Sequence, residues 1–409
     1  QLLAPPTANV TVVADDDQCL PPGTEIATPD GPRLIEKIQE GQEVLTAVGK
    51  GHVGTARVTK VFRSTKSVRL LALRTKRGHV VRVTDNHKMF CYVPSVVSRK
   101  DWCYVYLMHR RDLGWRLGVS RDLATRLRLE RSADRIIGLR AFPSEAEARY
   151  HETLWSLTYG IPTTVFKERG GMLDQNDLMT RLHAALQTER RVIQLARDLR
   201  IDLTAHHACL DGVHRGGSRR VKVNFLICDR KHRAKNVLGM ILKRPSVLHT
   251  VRLQTSNPEA SHALQEAGIR VQHERKGAVA RFSFADLQEA GKMADRLTAL
   301  TGGILETKFA VGRVNQEHLP ALLMPAGNVL CGHYVPIYEP STAQVAYDEV
   351  VEIVEEFGME EVFDLEVEKT HNFIANGVVV HNSIYKWRGA AISNVLQFLE
   401  HYQDVRRIV

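Results

Sequence analysis

The chain has 409 residues, 44% of them hydrophobic, which is too long for one average domain and sufficient for two or three separate cores. No run of about 18 apolar residues occurs, and the opening segment QLLAPPTANV lacks the basic stretch and apolar core of a secretory signal. These features argue against membrane and secreted classes, and we expect a soluble, cytoplasmic, multi-domain protein with no membrane contact.

Cysteine spacing and charge narrow the class further. The six cysteines form no CxxC pair, so neither a disulfide framework nor a zinc site is indicated, and we expect most of them in the core. The net charge of +10 is concentrated in the middle, because residues 101–330 hold 36 Lys and Arg against 24 Asp and Glu. A solvated basic face is one explanation, and a surface that follows nucleic-acid phosphates is the one we favour.

Strand-like segments dominate the first hundred residues. Residues 1–18 end in the apolar run Val10 to Ala14, which is typical of a buried strand. Short β-branched runs separated by Gly and Pro turns predict an all-β region over residues 19–98. Its main strands are expected at residues 24–28, 41–46, 57–62, 68–74 and 79–84.

From Trp102 the pattern changes to mixed strands and helices. A ββαβα unit is predicted, with strands at 103–108, 115–120 and 134–142 and helices at 121–130 and 144–160. Helices at 176–199 and 285–300 and strands at 221–228 and 278–283 follow, and the β pattern returns from Ala321. The fold class is therefore multi-domain, with an all-β domain interrupted by a basic α/β insert.

Residues at the two ends of the strand-rich regions suit the rearrangement of a peptide bond. The Cys19 thiol can attack the carbonyl of Gln18 and convert the amide into a thioester. The Ser383 hydroxyl can accept the acyl group, and the Asn382 side chain can cyclise onto its own carbonyl and cut the chain. His381 can protonate the leaving amine or polarise the carbonyl, because imidazole titrates near neutrality. Each residue alone is a weak signal.

Three ordered blocks around these residues resemble the intein (Hint) family. They are CLPPGTEIATPDGPRLIEKIQEGQEVLT, the tetrapeptide TDNH, and VFDLEVEKTHNFIANGVVVHNS. The resemblance covers about residues 19–98 and 321–383. It implies a horseshoe-shaped Hint splicing domain that acts in cis, as a monomer and without a cofactor.

The resemblance also implies roles for residues within the blocks. Thr84 and His87 would strain and polarise the bond before Cys19, with His87 donating to its nitrogen. Asp364 would help to switch the first step to the second, and His371 would assist cyclisation of Asn382. Gln42 stands where the family often has an acid, and we expect only a surface effect.

Deletion of residues 19–382 supports this interpretation. The joined sequence VTVVADDDQSIYKWRGAAISNVLQF resembles UvrD/PcrA/Rep-type superfamily 1 DNA helicases, so residues 1–18 and 383–409 would be host fragments. The resemblance implies that Gln18 senses the γ-phosphate of ATP. It places Tyr385, Trp387 and Arg388 at the single-stranded DNA track. Because the chain has no GxxxxGK[ST] loop, ATP would serve only the ligated host enzyme.

The ββαβα unit, in the predicted domain of residues 101–171, resembles the GIY-YIG nuclease fold. Its motif positions are filled by Tyr104, Tyr106, Arg116, Gly118, Arg126 and Glu152. Tyr can help to deprotonate water, Arg126 can stabilise a pentavalent phosphate, and Glu152 can hold one Mg²⁺. Tyr104 and Arg116 replace the family's Gly and Tyr, so catalysis is less supported than the fold. Packing of a small core is the alternative role for Tyr106, Gly118 and Arg126.

Residues 172–315 are expected to recognise double-stranded DNA, the homing site. The basic candidates are Arg190, Arg191, Arg219, Arg220, Lys222, Arg230, Lys231, Arg233 and Lys235. Such residues usually contact phosphates without sequence choice. A nearby group, His206, His207, Cys209 and His214, fits no zinc pattern, and we expect solvated loop residues there.

Two other functions remain open. A Hint domain that only cleaves would transfer its upstream part to water or another nucleophile, although Asn382 followed by Ser383 and the sensible ligated product argue against it. A DNA-binding or nuclease module in a splicing-inactive frame is the second alternative.

Overall fold

The computed structural model describes residues 19–94, 102–121, 133–166, 176–209, 221–235, 241–275, 277–312 and 320–382. Gln18, Arg126, Arg219, Arg220, Ser383, Tyr385, Trp387 and Arg388 lie outside these ranges, as do the predicted helix at 121–130, apart from its first residue, and the run Val10 to Ala14. Within the described residues, no helix has the length and apolar character needed to cross a membrane.

The first described part, residues 19–94, contains strands and one 3₁₀ turn, at Ile35–Lys37. Its strands are β1 (Glu25–Thr28), β2 (Gly31–Leu34), β3 (Glu43–Ala47), β4 (Val53–Thr75), β5 (Val80–Thr84) and β6 (Lys88–Cys91). The last part supplies β16 (Ala321–Pro325), β17 (Tyr334–Glu339), β18 (Gln344–Val367), β19 (Asn372–Ala375) and β20 (Val378–His381), with a 3₁₀ turn at Ala326–Asn328. The two predicted β regions are thus confirmed.

A long two-stranded ribbon joins these two parts. Strand β4 pairs antiparallel with β18 from Val58 opposite Val367 to Thr75 opposite Val350. The prediction of two separate strands at 57–62 and 68–74 is wrong, because the polar stretch between them stays extended. Cross-strand ion pairs support that stretch, as between Arg63 and Glu361.

The second part, residues 103–209, contains a separate four-stranded sheet. Its strands are β7 (Cys103–Arg110), β8 (Gly114–Ser120), β9 (Arg135–Phe142) and β10 (Ala208–Cys209), in the order β10-β9-β7-β8. Between β9 and β10 the chain forms three helices, α1 (Glu145–Tyr159), α2 (Asn176–Leu186) and α3 (Thr188–Leu199). Val105, Leu107 and Leu117 pack with Trp155 of α1 and Leu195 of α3. The three predicted strands and the helix at 144–160 are confirmed.

The predicted single helix at 176–199 is interrupted. Gln187 has φ 49°, a left-handed conformation that separates α2 from α3. The side chain of Thr188, the first residue of α3, accepts a hydrogen bond from the amide of Trp115 at 3.1 Å. The helix is therefore interrupted where its second half contacts β8, and the helical periodicity of the sequence does not indicate this interruption.

The third part, residues 221–309, contributes five strands to the 16-stranded sheet that also contains the strands of the first and last parts, and it contains two helices. These are β11 (Lys222–Lys235), β12 (Ile241–Thr255), α4 (Pro258–Glu266), β13 (Gln272–Glu274), β14 (Gly277–Phe284), α5 (Leu287–Thr301) and β15 (Ile304–Phe309). Strand β15 pairs with β16, which pairs with β6. One continuous sheet therefore includes strands from residues 221–309 and strands from the first and last parts of the chain.

Candidate functional site

The first candidate nucleophile lies beside the TDNH turn. Cys19 is 6% exposed. Its backbone amide donates to Thr84 Oγ1 at 3.0 Å, and its carbonyl accepts from the amide of Thr84 at 3.0 Å. These two bonds fix the nitrogen of the bond that follows residue 18, because the Thr84 hydroxyl oxygen faces that amide directly.

His87 is held at the other end of the same turn. Its side chain is fully buried, and its amide donates to the carbonyl of Thr84 at 3.0 Å. Two residues later Met89 pairs with Val380 of β20, the residue before His381. The strand pair therefore brings the His87 turn to the end of the segment that carries the second junction.

Asp364 lies near Cys19 through a short bridge. Leu20 and Phe363 exchange two backbone hydrogen bonds of 2.8 Å, and Asp364 is the next residue on β18. The Asp364 side chain is 3% exposed and its Oδ1 accepts from the amide of Leu365 at 2.8 Å. This places an acid one residue away from the backbone pairing that anchors the first junction.

The second junction is enclosed by β19, β20 and the end of β18. Asn382 is fully buried, and its amide donates to the carbonyl of His371 at 3.2 Å. With its side-chain amide oriented to satisfy its neighbours, Asn382 Nδ2 donates to the His371 carbonyl at 2.6 Å and Oδ1 accepts from the amide of Val367 at 2.7 Å. The group that must cyclise is thus held by two backbone contacts.

Two histidines flank Asn382, of which His381 is buried and His371 is half-buried. Burial lowers the pKa of His371 to about 4, and burial together with His371, His87 and Lys88 holds the pKa of His381 well below its usual value. Neither Nδ1 atom has a hydrogen-bond partner among the described residues. Both imidazoles are therefore neutral near pH 7, a form in which one nitrogen can accept a proton.

His381 also contacts an aromatic pair that reaches the third part. Its ring lies edge-on to Phe90 at 5.6 Å between ring centroids, and Phe90 packs on Phe309 of β15 at 4.5 Å. The structure therefore brings Cys19, Thr84, His87 and Asp364 to one junction and His371, His381 and Asn382 to the other, with β6 between them.

Three nuclease candidates share one face of the four-stranded sheet. Tyr106 pairs with Gly118 across β7 and β8, and a Cβ atom on Gly118 would lie 2.5 Å from the Tyr106 hydroxyl. Arg116 is 5% exposed and donates to the carbonyl of Thr163 at 2.9 Å. The glycine is needed here because the tyrosine ring lies directly over it.

The remaining nuclease candidates are placed less favourably. The Tyr104 hydroxyl donates to the carbonyl of Cys331 at 3.1 Å. Burial raises the pKa of Glu152, while the charges of Arg116 and Arg149 oppose that rise. No group of three or more His, Cys, Asp or Glu that could hold a metal occurs among the described residues. A single carboxylate beside two arginines does not form a complete magnesium site, although Mg²⁺ commonly uses one or two carboxylates with phosphate oxygens.

The DNA-binding candidates differ in what their side chains do. Arg190 and Arg191 are both exposed. Arg190 donates to Gln187 Oε1 at 3.3 Å, and Arg191 donates to the carbonyls of Leu186 and Tyr159 at 2.6 and 3.3 Å. Lys222 lies 3.4 Å from the buried carboxylate of Glu306, and this ion pair makes it a structural lysine. Arg230, Lys231, Arg233 and Lys235 lie on β11, but their side chains are outside the described part.

The expectation of solvated histidines near residue 206 is wrong for two of them. His206 and His207 are 9% and 3% exposed. His207 Nδ1 accepts from the amide of Gly138 at 2.8 Å and its Nε2 donates to the carbonyl of Asn328 at 2.7 Å. These bonds explain the burial, since both ring nitrogens find backbone partners.

Two buried asparagines were missed by sequence reasoning. Asn372 accepts from the amide of Ala47 and donates to the carbonyls of Ala47 and Thr370, and so ties β19 to β3. Asn328 makes a similar set of three bonds with residues 202–205. Asn372 stands within a recognisable block, whereas nothing in the sequence around Asn328 signals its role.

Comparisons with known proteins identify the family. The model of the intein splicing domain family matches residues 28–382. The replicative DNA helicase DnaB of Synechocystis sp. (strain ATCC 27184 / PCC 6803 / Kazusa) is 52% identical over 44 residues, which are 11% of this chain and 5% of that protein. The DnaB helicase of Nostoc sp. (strain PCC 7120 / SAG 25.82 / UTEX 2576) is 62% identical over 42 residues, or 10% of this chain and 5% of that protein. The chain thus covers one-twentieth of these curated relatives.

Two solved structures are also similar. A DnaB intein from Synechocystis sp. PCC 6803 has a TM-score of 0.29 and 11% sequence identity, over 90% of this chain and 99% of that chain. The Ssp DnaB mini-intein variant M86 has a TM-score of 0.29 and 9% identity, over 91% of this chain and 99% of that chain.

Proposed function

The chain belongs to the intein splicing domain family, and we propose that it excises residues 19–382 and joins Gln18 to Ser383. The observation that carries the proposal is the paired contact between Cys19 and Thr84, since it holds the amide nitrogen that must leave. The reaction acts in cis within one monomer and needs no cofactor, because every nucleophile belongs to the chain.

The first step moves the upstream acyl group from nitrogen to sulfur. The Cys19 sulfur bonds to the carbonyl carbon of Gln18, the carbon–nitrogen bond breaks, and the amide nitrogen of Cys19 gains a proton. Thr84 fixes that nitrogen, and His87 supplies the proton from the same turn. Asp364 accepts the proton of the Cys19 thiol in this step and returns it to the sulfur when the acyl group leaves.

The second step connects the two junctions, and the third step cuts the chain at the second junction. The Ser383 hydroxyl oxygen attacks the thioester carbon, and the Cys19 thiol leaves. Asn382 Nδ2 then attacks its own carbonyl carbon and loses a proton, the bond to Ser383 breaks, and the amine of Ser383 takes a proton relayed by His381, whose neutral ring accepts one proton as it donates another. His371 accepts a proton from the Asn382 amide, which its neutral imidazole permits. The freed amine finally converts the ester into a peptide bond.

Mass spectrometry of the expressed chain tests this reaction. Splicing yields a 364-residue fragment, residues 19–382, and a 45-residue ligated peptide. Release of the separate flanking segments without ligation would instead indicate a domain that only cleaves. An intact chain would indicate that the splicing frame is inactive.

The second candidate function is a DNA endonuclease in residues 101–171 with DNA recognition by residues 172–315. The observation that favours it is the placement of Tyr106, Arg116 and Gly118 on one sheet face beside the charge of Glu152. The proposed phosphate contacts on double-stranded DNA are Arg190, Arg219, Arg220 and the β11 residues Arg230, Lys231, Arg233 and Lys235. Arg126 would stabilise the pentavalent phosphate. Mg²⁺ bound to Glu152 and phosphate oxygens would supply Lewis acidity there.

A single substitution distinguishes the proposed nuclease activity from the splicing activity. In Glu152→Ala, Mg²⁺-dependent cutting of the uninterrupted host gene should fall by at least about a hundredfold while the ligated peptide still forms. Glu147→Ala, on the same helix, is the control. Cutting that survives in Glu152→Ala would remove Glu152 from the nuclease.

We also propose that the host is a cytoplasmic, ATP-dependent DNA helicase. The joined sequence around Gln18, Tyr385, Trp387 and Arg388 favours the UvrD/PcrA type. The curated relatives favour a DnaB-type host, although they match only about a tenth of the chain. The UvrD/PcrA assignment is tested in a host protein that carries the 45-residue ligated segment, by measuring its binding of ATP and single-stranded DNA. Trp387→Ala should weaken its affinity for single-stranded DNA.

A further inference from the structure

The TDNH turn contacts a loop that is itself anchored in the second part. The amide of Ala326 donates to the carbonyl of His87, and the amide of Gly327 donates to the carbonyl of Asp85, both at 2.8 Å. The loop at residues 326–328 therefore holds the backbone of the turn at two points. Movement of this loop would move the backbone that carries Thr84 and His87.

Asn328 fixes this loop to residues 200–207, which follow α3. Its side chain is fully buried. Oδ1 accepts from the amide of Asp202, and Nδ2 donates to the carbonyls of Asp202 and Ala205, all at 2.9 Å. Its carbonyl accepts from His207 Nε2 at 2.7 Å. All the hydrogen-bonding groups of the side chain thus connect the loop with residues that the sequence assigns to the insert.

Other contacts tie the same segment to the turn. A Cβ atom on Gly327 would lie 2.5 Å from the carbonyl oxygen of Arg200 and 3.3 Å from that of Asp85. The Arg200 guanidinium lies 3.8 Å from the Asp85 carboxylate, and Lys88 lies 3.8 Å from Asp202. Residues 200–207 and the turn therefore clamp the loop between them.

We infer that residues 200–207 form a structural part of the splicing site and that Asn328 is a positioning residue for its first step. Asn328 acts through the loop to set the backbone of Asp85 and His87, and thereby the placement of Thr84 and His87 against Cys19. This inference rests on the proposed splicing function. It assigns to a piece of the insert a task in the acyl shift, separate from any contact with DNA.

Thiol-induced cleavage at the first junction tests the inference in full-length protein. In the Asn382→Ala background, dithiothreitol releases residues 1–18 at a rate set by the acyl shift. Asn328→Asp loses both amide donors and should slow this release at least about tenfold, because small displacements of reacting groups have large kinetic effects. Release of residues 383–409 in the Cys19→Ala background should change less than about twofold.

Asn372→Asp is the matched control, since Asn372 is equally buried and makes the same three kinds of bond away from the turn. It should leave thiol cleavage within about twofold. Unchanged cleavage in Asn328→Asp, or equal slowing in both variants, would overturn the inference.

A second pair of variants covers the case in which Asn328→Asp fails to fold. Gly327→Ala inserts a methyl group between Arg200 and Asp85, whereas Gly358→Ala adds one where nothing lies within 4 Å. Only Gly327→Ala should slow thiol cleavage, again by about tenfold. Equal rates in the two variants would contradict the clamp.

Amide hydrogen exchange separates this inference from splicing itself. The amides of residues 85–87 should exchange at least about tenfold faster in Asn328→Asp or Gly327→Ala than in the parent. If the parent chain never releases residues 1–18 or 383–409, the splicing proposal fails, but exchange at the turn still tests the clamp. Unchanged exchange rejects it whether or not the chain splices.

Discussion

The two junctions of the excised segment are held by different means. At the first, Cys19 is fixed by two hydrogen bonds with Thr84, and the turn that carries Thr84 is held from outside by the loop at residues 326–328. At the second, Asn382 lies among paired strands beside the neutral rings of His371 and His381. In the proposed mechanism, the Thr84 hydrogen bonds and His87 act at the first junction, and the neutral imidazoles of His371 and His381 act at the second.

The largest effects are expected from removal of the reacting groups, which separates the two junctions completely. Cys19→Ala should abolish release of residues 1–18 while residues 383–409 are still released. Asn382→Ala should abolish release of residues 383–409 and leave a thioester or branched ester that thiols cleave. Mass spectrometry after thiol treatment measures both. Full ligated product from Asn382→Ala would refute the proposed mechanism.

A smaller but general effect is expected from acid. His207, His249 and His371 have pKa values lowered to about 4 mainly by burial, so each binds its proton more readily in the unfolded chain. Their contribution to stability is complete above about pH 6.5 and is lost as the pH falls towards 4. Each should lower the free energy of unfolding by up to about 1.4 kcal/mol per pH unit in that window.

Urea unfolding of the inactive double variant Cys19→Ala, Asn382→Ala measures this slope. His249→Asn should reduce the slope of the free energy of unfolding against pH by the contribution of one histidine. A free energy of unfolding that is constant from pH 6.5 to 4.5 would contradict burial of these rings in their neutral form.

The smallest effect concerns the aromatic contact between the third part and the second junction. Phe309→Leu should loosen Phe90 against His381 and slow release of residues 383–409 about threefold to tenfold. Thiol cleavage at the first junction should stay within about twofold. Phe282→Leu, also in the third part but stacked on Phe284, is the control. Equal slowing at both junctions would show that Phe309 supports the fold alone.

Sequence reasoning located the two ends of the site because their residues sit in compact local blocks. Cys19, the Thr84 to His87 turn and the closing His381 and Asn382 need no knowledge of distant pairing to be found. Burial of His381 was not predictable, since it depends on strands from distant parts of the chain.

The errors share one physical cause. The polar stretch within β4 stays extended because β18 lies beside it, and α2 ends at Leu186, before the left-handed Gln187, while α3 begins at Thr188 against β8. His207 is held by Asn328, more than a hundred positions away in the sequence. Each outcome depends on tertiary contacts, which local propensity does not encode.

The pairing of β15 with β16 bears on any attempt to shorten this protein. Strand β16 has β6 on one side and, through Lys308 opposite Leu322 and Phe309 opposite Ala321, β15 on the other. Excision of everything between residues 95 and 320 would leave that second side as an open strand edge, which invites intermolecular association. A soluble minimal version would have to retain β15 or place a charged or proline-bearing strand against β16.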